Sequence, residues 1–125
     1  MAEGAVDVTI DAAPDAVWAK IGDFGGLGEV FPGLESCRLE GDVRIISVGG
    51  HEVHERLLSR DEAGRTLTYS VIAGIPVDRH EATITVEPAG EGSKVTWAYD
   101  VEPDEMAPGM GDNYKGGLDS LASLF

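Results

Sequence analysis

The stretch from residue 106 to residue 125 constrains the fold most strongly, because its apolar residues follow the period of an α-helix. They recur at steps of four, four, three and four, which places them on one face. The polar residues of the stretch fall on the other side, so the helix must pack its apolar face against the rest of the chain. The predicted buried face is Met110, Tyr114, Leu118, Leu121 and Phe125, and the predicted outer face is Asp112, Lys115, Asp119 and Ser120.

Two glycines interrupt this helix near its middle. Gly116 and Gly117 each lower helix stability by about 1 kcal/mol relative to alanine. They also leave the helix without side-chain bulk at mid-length, on the side that we expect to face a sheet. The pattern therefore predicts space between the helix and its partner, with a helix packed flat on its sheet as the alternative.

The chain before this helix is typical of an antiparallel β-meander. Val6, Val8 and Ile10 alternate with polar residues in a first strand, and a short helix begins at Pro14. One helical turn is expected between residues 27 and 31, and glycine-rich turns then separate runs of strand character. With the first strand, these runs make seven strands, the later six at residues 35–40, 43–48, 51–59, 65–73, 78–88 and 93–101.

Composition narrows the class of protein. A chain of 125 residues and 13.2 kDa is expected to form one domain. Its 23 acidic and 9 basic residues give a net charge of −14, which disfavours nucleic acid and anionic lipid surfaces as partners. We expect no signal peptide and no membrane-spanning segment, and the single Cys37 cannot form an internal disulfide. We expect a cytoplasmic protein without integral membrane association, and the sequence does not predict its oligomeric state.

Four segments in order resemble the START-like helix-grip superfamily (SRPBCC), in particular its bacterial polyketide cyclase/dehydrase or lipid-transport group. The segments are IDAAPDAVWAKIGDF, FPGLESCRLEG, HERLLSRDEAGRTLTYSVIAGIPVDRHEATITVEP and GSKVTWAYDVEP. The resemblance implies a single domain over residues 1–125, an α+β helix-grip fold. In that fold a curved seven-stranded antiparallel sheet wraps around a long C-terminal helix, with two short helices between strands 1 and 2. It also implies a ligand cavity between sheet and helix, opening near residues 49–51 and 74–77.

Three polar residues share predicted strand faces with apolar neighbours and so point toward such a cavity. Glu55 is a candidate for contact with a ligand, or else for an ion pair with a neighbouring arginine. His80 is a candidate hydrogen-bond donor or general base, with a structural histidine as the alternative. Tyr69 offers a hydroxyl group and a large ring that would form part of the cavity wall. The full set of expected ligand-binding residues is Phe31, Val53, Glu55, Leu57, Tyr69, Val71, His80, Trp97, Tyr114, Leu118 and Leu121.

Other motifs give no support for a metal or a cofactor. In HEVHE the histidines stand three apart on a predicted strand, which points His51 and His54 to opposite faces. The glycine-rich segment GDFGGLGEVFPG follows a helix and precedes a strand, the reverse of a phosphate-binding loop. No Gly-x-Ser-x-Gly motif is present. We therefore expect no metal site and no cofactor.

Three functions remain open at this stage. The first is binding, transport or sequestration of a small hydrophobic ligand such as a lipid, isoprenoid or polyketide-like aromatic. The second is a cyclase/dehydratase-type enzyme that uses Glu55 and His80 as acid and base. The third is a protein-interaction module with a filled core and an exposed apolar patch.

Overall fold

The computed structural model describes residues 2–31 and 33–125. Its strands form one antiparallel sheet in the order β1-β7-β6-β5-β4-β3-β2. Two helical segments separate β1 from β2, and a long helix ends the chain, so the predicted helix-grip fold is confirmed. The strands are β1 Ala2–Ile10, β2 Ser36–Glu40, β3 Val43–Val48, β4 His51–Asp61, β5 Thr66–Ala73, β6 Arg79–Ala89 and β7 Gly92–Glu102. The helices are α1 Pro14–Ile21, a 3₁₀ segment Phe24–Glu29, a 3₁₀ turn Asp104–Met106 and α2 Ala107–Ala122.

Alternation of side chains sets the faces of the long strands. In β6, His80, Ala82, Ile84 and Val86 are buried while the residues between them are exposed or half-buried. Tight turns fix how neighbouring strands align. Gly49 and Gly50 both have positive φ and join β3 to β4 directly, so Val48 pairs with His51.

The core lies between the concave face of the sheet and α2. Helix α2 packs mainly against β1 and also against β7, at one end of the sheet. Its buried residues are Met110, Gly111, Tyr114, Gly117, Leu118 and Leu121. Among the described residues, neither helix is long and apolar enough to cross a membrane.

Two expectations for α2 are corrected. The helix ends at Ala122, and Phe125 beyond it is 46% exposed, so Phe125 does not extend the buried face. Gly116 has open space around its Cα and is exposed, whereas Gly117 is buried. A Cβ at Gly117 would overlap the ring of Phe31, so this glycine permits a close approach of that ring rather than of a strand.

Candidate functional site

A cleft separates α2 from the half of the sheet that the helix does not cover. It consists of two adjoining hollows of about 190 Å³ and about 390 Å³. Ile46, Val48, Glu55, Asn113 and Tyr114 border both hollows, which makes the two parts continuous. The hollow of about 190 Å³ is called the Phe31 hollow, and its other lining residues are Leu27, Phe31, Gly33, Leu34, Arg44, Tyr69 and Trp97. The hollow of about 390 Å³ is called the Ile75 hollow, and its other lining residues are Val53, Val71, Ile75, Glu105, Met106, Gly109 and Met110.

A buried ion pair forms part of the wall of the Phe31 hollow. Arg44 on β3 and Glu55 on β4 face each other across the two strands. The arginine donates from Nε and Nη2 to the same carboxylate oxygen, Oε1 of Glu55, at 2.9 and 2.5 Å. Nη1 donates to the Phe24 carbonyl at 3.2 Å, and the guanidinium carbon lies 4.0 Å from the centre of the Phe24 ring. The Arg44 guanidinium is therefore held by the Glu55 carboxylate, by the Phe24 carbonyl and by the Phe24 ring. Oε2 of Glu55 accepts no hydrogen bond from the described residues.

Two groups of hydrogen-bonded side chains lie near the ion pair, and Tyr69 of one group lies under the Arg44 guanidinium. The backbone N–H of Val71 donates to Nδ1 of His80 at 3.0 Å, which fixes the neutral imidazole with its proton on Nε2. That Nε2–H lies 2.8 Å from the Tyr114 hydroxyl and donates to it. The indole N–H of Trp97 donates to the Tyr69 hydroxyl at 3.2 Å. The rings of Trp97 and Tyr114 stack with their centres 4.2 Å apart, which fixes the tyrosine on α2 against the sheet.

Burial controls the ionisation of this network. It lowers the pKa of His80 to about 4, so the imidazole is neutral at physiological pH. Burial also raises the pKa of Tyr69 and of Tyr114, and the nearby Glu55 carboxylate raises both further. The network therefore consists of neutral groups beside one paired carboxylate.

One protein family matches this sequence over its whole length. The family model described as polyketide cyclase/dehydrase and lipid transport matches residues 1–125. The chain belongs to this family. A comparison with curated proteins found no match.

Solved structures similar to this polyketide cyclase/dehydrase family member share its fold over nearly the full chain. The protein XoxI from Bacillus cereus is 30% identical with a TM-score of 0.93, covering 100% of this chain and 96% of XoxI. A protein from Bacillus thuringiensis is 30% identical with a TM-score of 0.91, covering 99% of this chain and 98% of the other. The di-domain ARO/CYC BexL, from the BE-7585A biosynthetic pathway, is 21% identical with a TM-score of 0.81. The match covers 98% of this chain and 46% of BexL and shows the fold alone.

Seven of the eleven residues expected to bind ligand line the cleft of this family member, and four do not. His80 lies behind Tyr114 with both ring nitrogens hydrogen-bonded. Leu118 and Leu121 are fully buried in the core beyond Gly117, where α2 closes onto its neighbours. Leu57 is half-buried and packs against the same core, next to a register shift in β4. The seven in the wall are Phe31, Val53, Glu55, Tyr69, Val71, Trp97 and Tyr114.

Arg44 is a wall residue that the sequence analysis did not name, although it gave an ion pair with a neighbouring arginine as the alternative role of Glu55. The signal was available in the turn Gly49-Gly50, because a two-residue hairpin loop pairs residues 48 and 51. Counting back along both strands then pairs Arg44 with Glu55. The contribution of α2 near its start, through Gly109 and Asn113, carried no comparable signal because it depends on where the helix crosses the sheet.

The chemistry open to this cleft follows from which groups remain unengaged. His80 cannot accept a proton from a ligand in this arrangement, because Nδ1 accepts from the backbone and Nε2 carries the proton. Glu55 keeps one oxygen without a hydrogen-bond partner among the described residues, but its charge is paired with Arg44. The geometry thus offers a largely apolar wall with polar groups at Glu55, Asn113 and Tyr114, which border both hollows, and at Glu105, which borders the Ile75 hollow.

Proposed function

We propose that the protein binds a small, mostly apolar molecule in the cleft between α2 and strands β3 to β5. The continuity of the two hollows through Ile46, Val48 and Tyr114 carries this proposal, because together they have the volume typical of a small-molecule site. Few polar groups line the cleft, and such lining favours ligands with a large apolar surface. Membership of a family described by polyketide cyclisation and lipid transport supports the same class of ligand. Lipids, isoprenoids and polyketide-like aromatics are the candidates, bound for transport or for sequestration.

The neutral fluorescent probe N-phenyl-1-naphthylamine tests this proposal directly. Its emission rises in an apolar site, and we expect saturable binding by the wild-type protein. Ile46→Trp places a large ring at the border of the two hollows and should weaken binding at least tenfold. Ile72→Trp is the matched control, because Ile72 is 45% exposed and borders neither hollow.

The outcomes separate a cleft ligand from surface adsorption. Retained binding in Ile72→Trp together with loss in Ile46→Trp supports the cleft. Equal binding by the two variants and the wild type would place the probe elsewhere and overturn the proposal. Native mass spectrometry of freshly purified protein adds an independent measurement, since a retained host molecule should be lost in Ile46→Trp as well.

The other two hypotheses draw less support from the geometry. An acid–base pair of Glu55 and His80 requires groups free to exchange protons with a substrate, and both are engaged within the protein. A filled core was the premise of the interaction-module hypothesis, and a cleft is present instead. The enzyme hypothesis stays a prediction, for which turnover after Glu55→Gln is the relevant measurement.

A further inference from the structure

The two hydrogen-bonded pairs beside the cleft, His80–Tyr114 and Trp97–Tyr69, contain more donor protons than engaged acceptors. His80 donates to the Tyr114 oxygen, and Trp97 donates to the Tyr69 oxygen. The two hydroxyl groups bring two further protons, and no hydrogen bond among the described residues runs from either hydroxyl to an oxygen outside the pair, the Glu55 carboxylate included. Even if one hydroxyl donates to the other, the remaining proton is donated to none of the described residues. A buried hydroxyl in that state is destabilised unless another molecule accepts its hydrogen bond.

Val71 determines the direction of the hydrogen bond between His80 and Tyr114. Its backbone N–H occupies Nδ1 of His80, so the imidazole must present a donor to Tyr114 rather than an acceptor. Tyr114 therefore accepts from His80, and the described residues show no geometric hydrogen bond that its own hydroxyl donates. Tyr114 borders both hollows, whereas Tyr69 borders one, so a ligand in either hollow can accept the Tyr114 proton.

We propose that Tyr114 donates a hydrogen bond to a carbonyl oxygen of the ligand, so that the cleft selects neutral, apolar carbonyl compounds. This inference rests on the proposed binding function. The acceptor must be neutral because the described lining residues include two carboxylates, Glu55 and Glu105, against the single cation of Arg44, and the whole chain carries a net charge of −14. A ketone, ester or amide carbonyl fulfils both conditions, while a carboxylate fulfils only the first.

Three naphthalene probes of nearly equal shape separate these requirements. 2-Acetylnaphthalene carries the carbonyl, 2-isopropenylnaphthalene replaces its oxygen by CH₂, and 2-naphthoate replaces the methyl ketone by a carboxylate. Calorimetric titration of the wild-type protein should give roughly three- to tenfold tighter binding of the ketone than of the alkene. The carboxylate should bind more weakly than the ketone. Infrared spectra should show the carbonyl stretch of the bound ketone at lower frequency than in an apolar solvent.

Tyr114→Phe removes the proposed donor and leaves the ring that stacks on Trp97. The variant should lose the preference for ketone over alkene, and the carbonyl stretch should return toward its apolar-solvent value. Tyr99→Phe is the control, because Tyr99 packs edge-on against Tyr114 but borders neither hollow. It should retain both the preference and the frequency shift. The wild-type comparison of probes needs no variant, so it stands even if Tyr114→Phe folds poorly.

The possible results distinguish failure of the proposed role of Tyr114 from failure of the binding function. Equal affinity for ketone and alkene in the wild type, or tightest binding of the carboxylate, overturns the role of Tyr114 while leaving the binding function intact. An unchanged ketone preference in folded Tyr114→Phe does the same. Failure of all three probes and of N-phenyl-1-naphthylamine to bind overturns the binding function, and this inference with it.

Discussion

At the scale of single residues, the Arg44–Glu55 pair is the most demanding feature of the cleft, because both charges are buried. Removing one partner of a buried pair leaves the other charge uncompensated, at a cost of about 3 kcal/mol. We therefore expect Arg44→Met and Glu55→Leu each to lower the free energy of unfolding by about this amount. The double variant should cost far less than the sum of the two, as urea denaturation can measure.

The surface pair of Arg56 and Asp42 supplies the control for this cycle. Their charged groups stand 3.7 Å apart, and both side chains are about half exposed or more. Arg56→Met should change stability little, because solvent screens such pairs. Additive costs for Arg44→Met and Glu55→Leu would show that the two buried groups act independently, contrary to the geometry.

His80 makes stability depend on pH in a defined direction. Its pKa is about 4 in the folded protein, against about 6.5 for an unperturbed histidine, so the unfolded chain takes up a proton first as pH falls. The stabilisation is complete above about pH 6.5 and is lost as pH falls toward 4. Between pH 7 and pH 5 this amounts to about 2 kcal/mol.

His80→Gln tests this linkage, because glutamine does not titrate yet offers both an acceptor and a donor. Unfolding free energies measured at pH 7 and pH 5 should fall less in this variant than in the wild type, by about 2 kcal/mol. His51 and His54 are present in both proteins and cancel in the comparison. The same pH dependence in both proteins would assign the effect to other groups.

Strand alternation predicted which side chains face the cleft, and their contact with a ligand stays a prediction. Glu55, Tyr69 and Trp97 stand in apolar phases of their strands, and each borders the cleft. His80 shares such a phase, but a side chain from another element, Tyr114, lies between it and the cleft. Alternation specifies the face of a sheet and not what covers that face, so the position of His80 behind Tyr114 could not be predicted from it. The pairing of Arg44 with Glu55 depends instead on the hairpin register.

At the scale of elements, α2 carries two adjacent glycines in opposite environments. Gly116 is exposed with open space, so Gly116→Ala should stabilise the protein by up to about 1 kcal/mol through helix propensity. Gly117→Ala gains the same propensity but drives the Phe31 ring out of its place against Trp97, where the ring centres are 5.8 Å apart. We expect it to be less stable than Gly116→Ala by about 1–3 kcal/mol.

Thermal denaturation of the two variants measures this difference, and a second substitution locates its cause. Phe31→Leu shortens the side chain that the new methyl group would meet, so it should reduce the gap between Gly117→Ala and Gly116→Ala. Equal stability of the two alanine variants would mean that the ring has room to move and that Gly117 serves no packing purpose.

The order and type of the elements followed from the sequence because each has a strong local period or a glycine turn at its boundary. The strand from residue 43 to 48 was predicted with its observed bounds, and the other strands differ by one to four residues at an end. The end of α2 did not follow in this way. Helical spacing continues to Phe125, but Leu124 and Phe125 are each 46% exposed, and the helix ends at Ala122.

At the scale of the whole molecule, the net charge of −14 opposes compaction, because exposed carboxylates repel one another more strongly in the folded state than in the extended chain. The single exposed ion pairs offset little of this repulsion. Salt screens the repulsion over about 10 Å at 0.1 M ionic strength, so moderate salt should raise the free energy of unfolding. Equal gains in NaCl and KCl would identify screening rather than specific ion binding.

A charge-reduced variant makes this last expectation quantitative. Glu81→Gln combined with Glu91→Gln removes two exposed carboxylates that form no ion pair within residues 2–31 and 33–125. The variant should be more stable than the wild type in 20 mM salt, and the difference should shrink in 500 mM salt, as equilibrium urea unfolding at both concentrations can show. A difference that stays constant with salt would mean that the two substitutions act through local strand propensity. Self-repulsion would then not limit the stability of this fold.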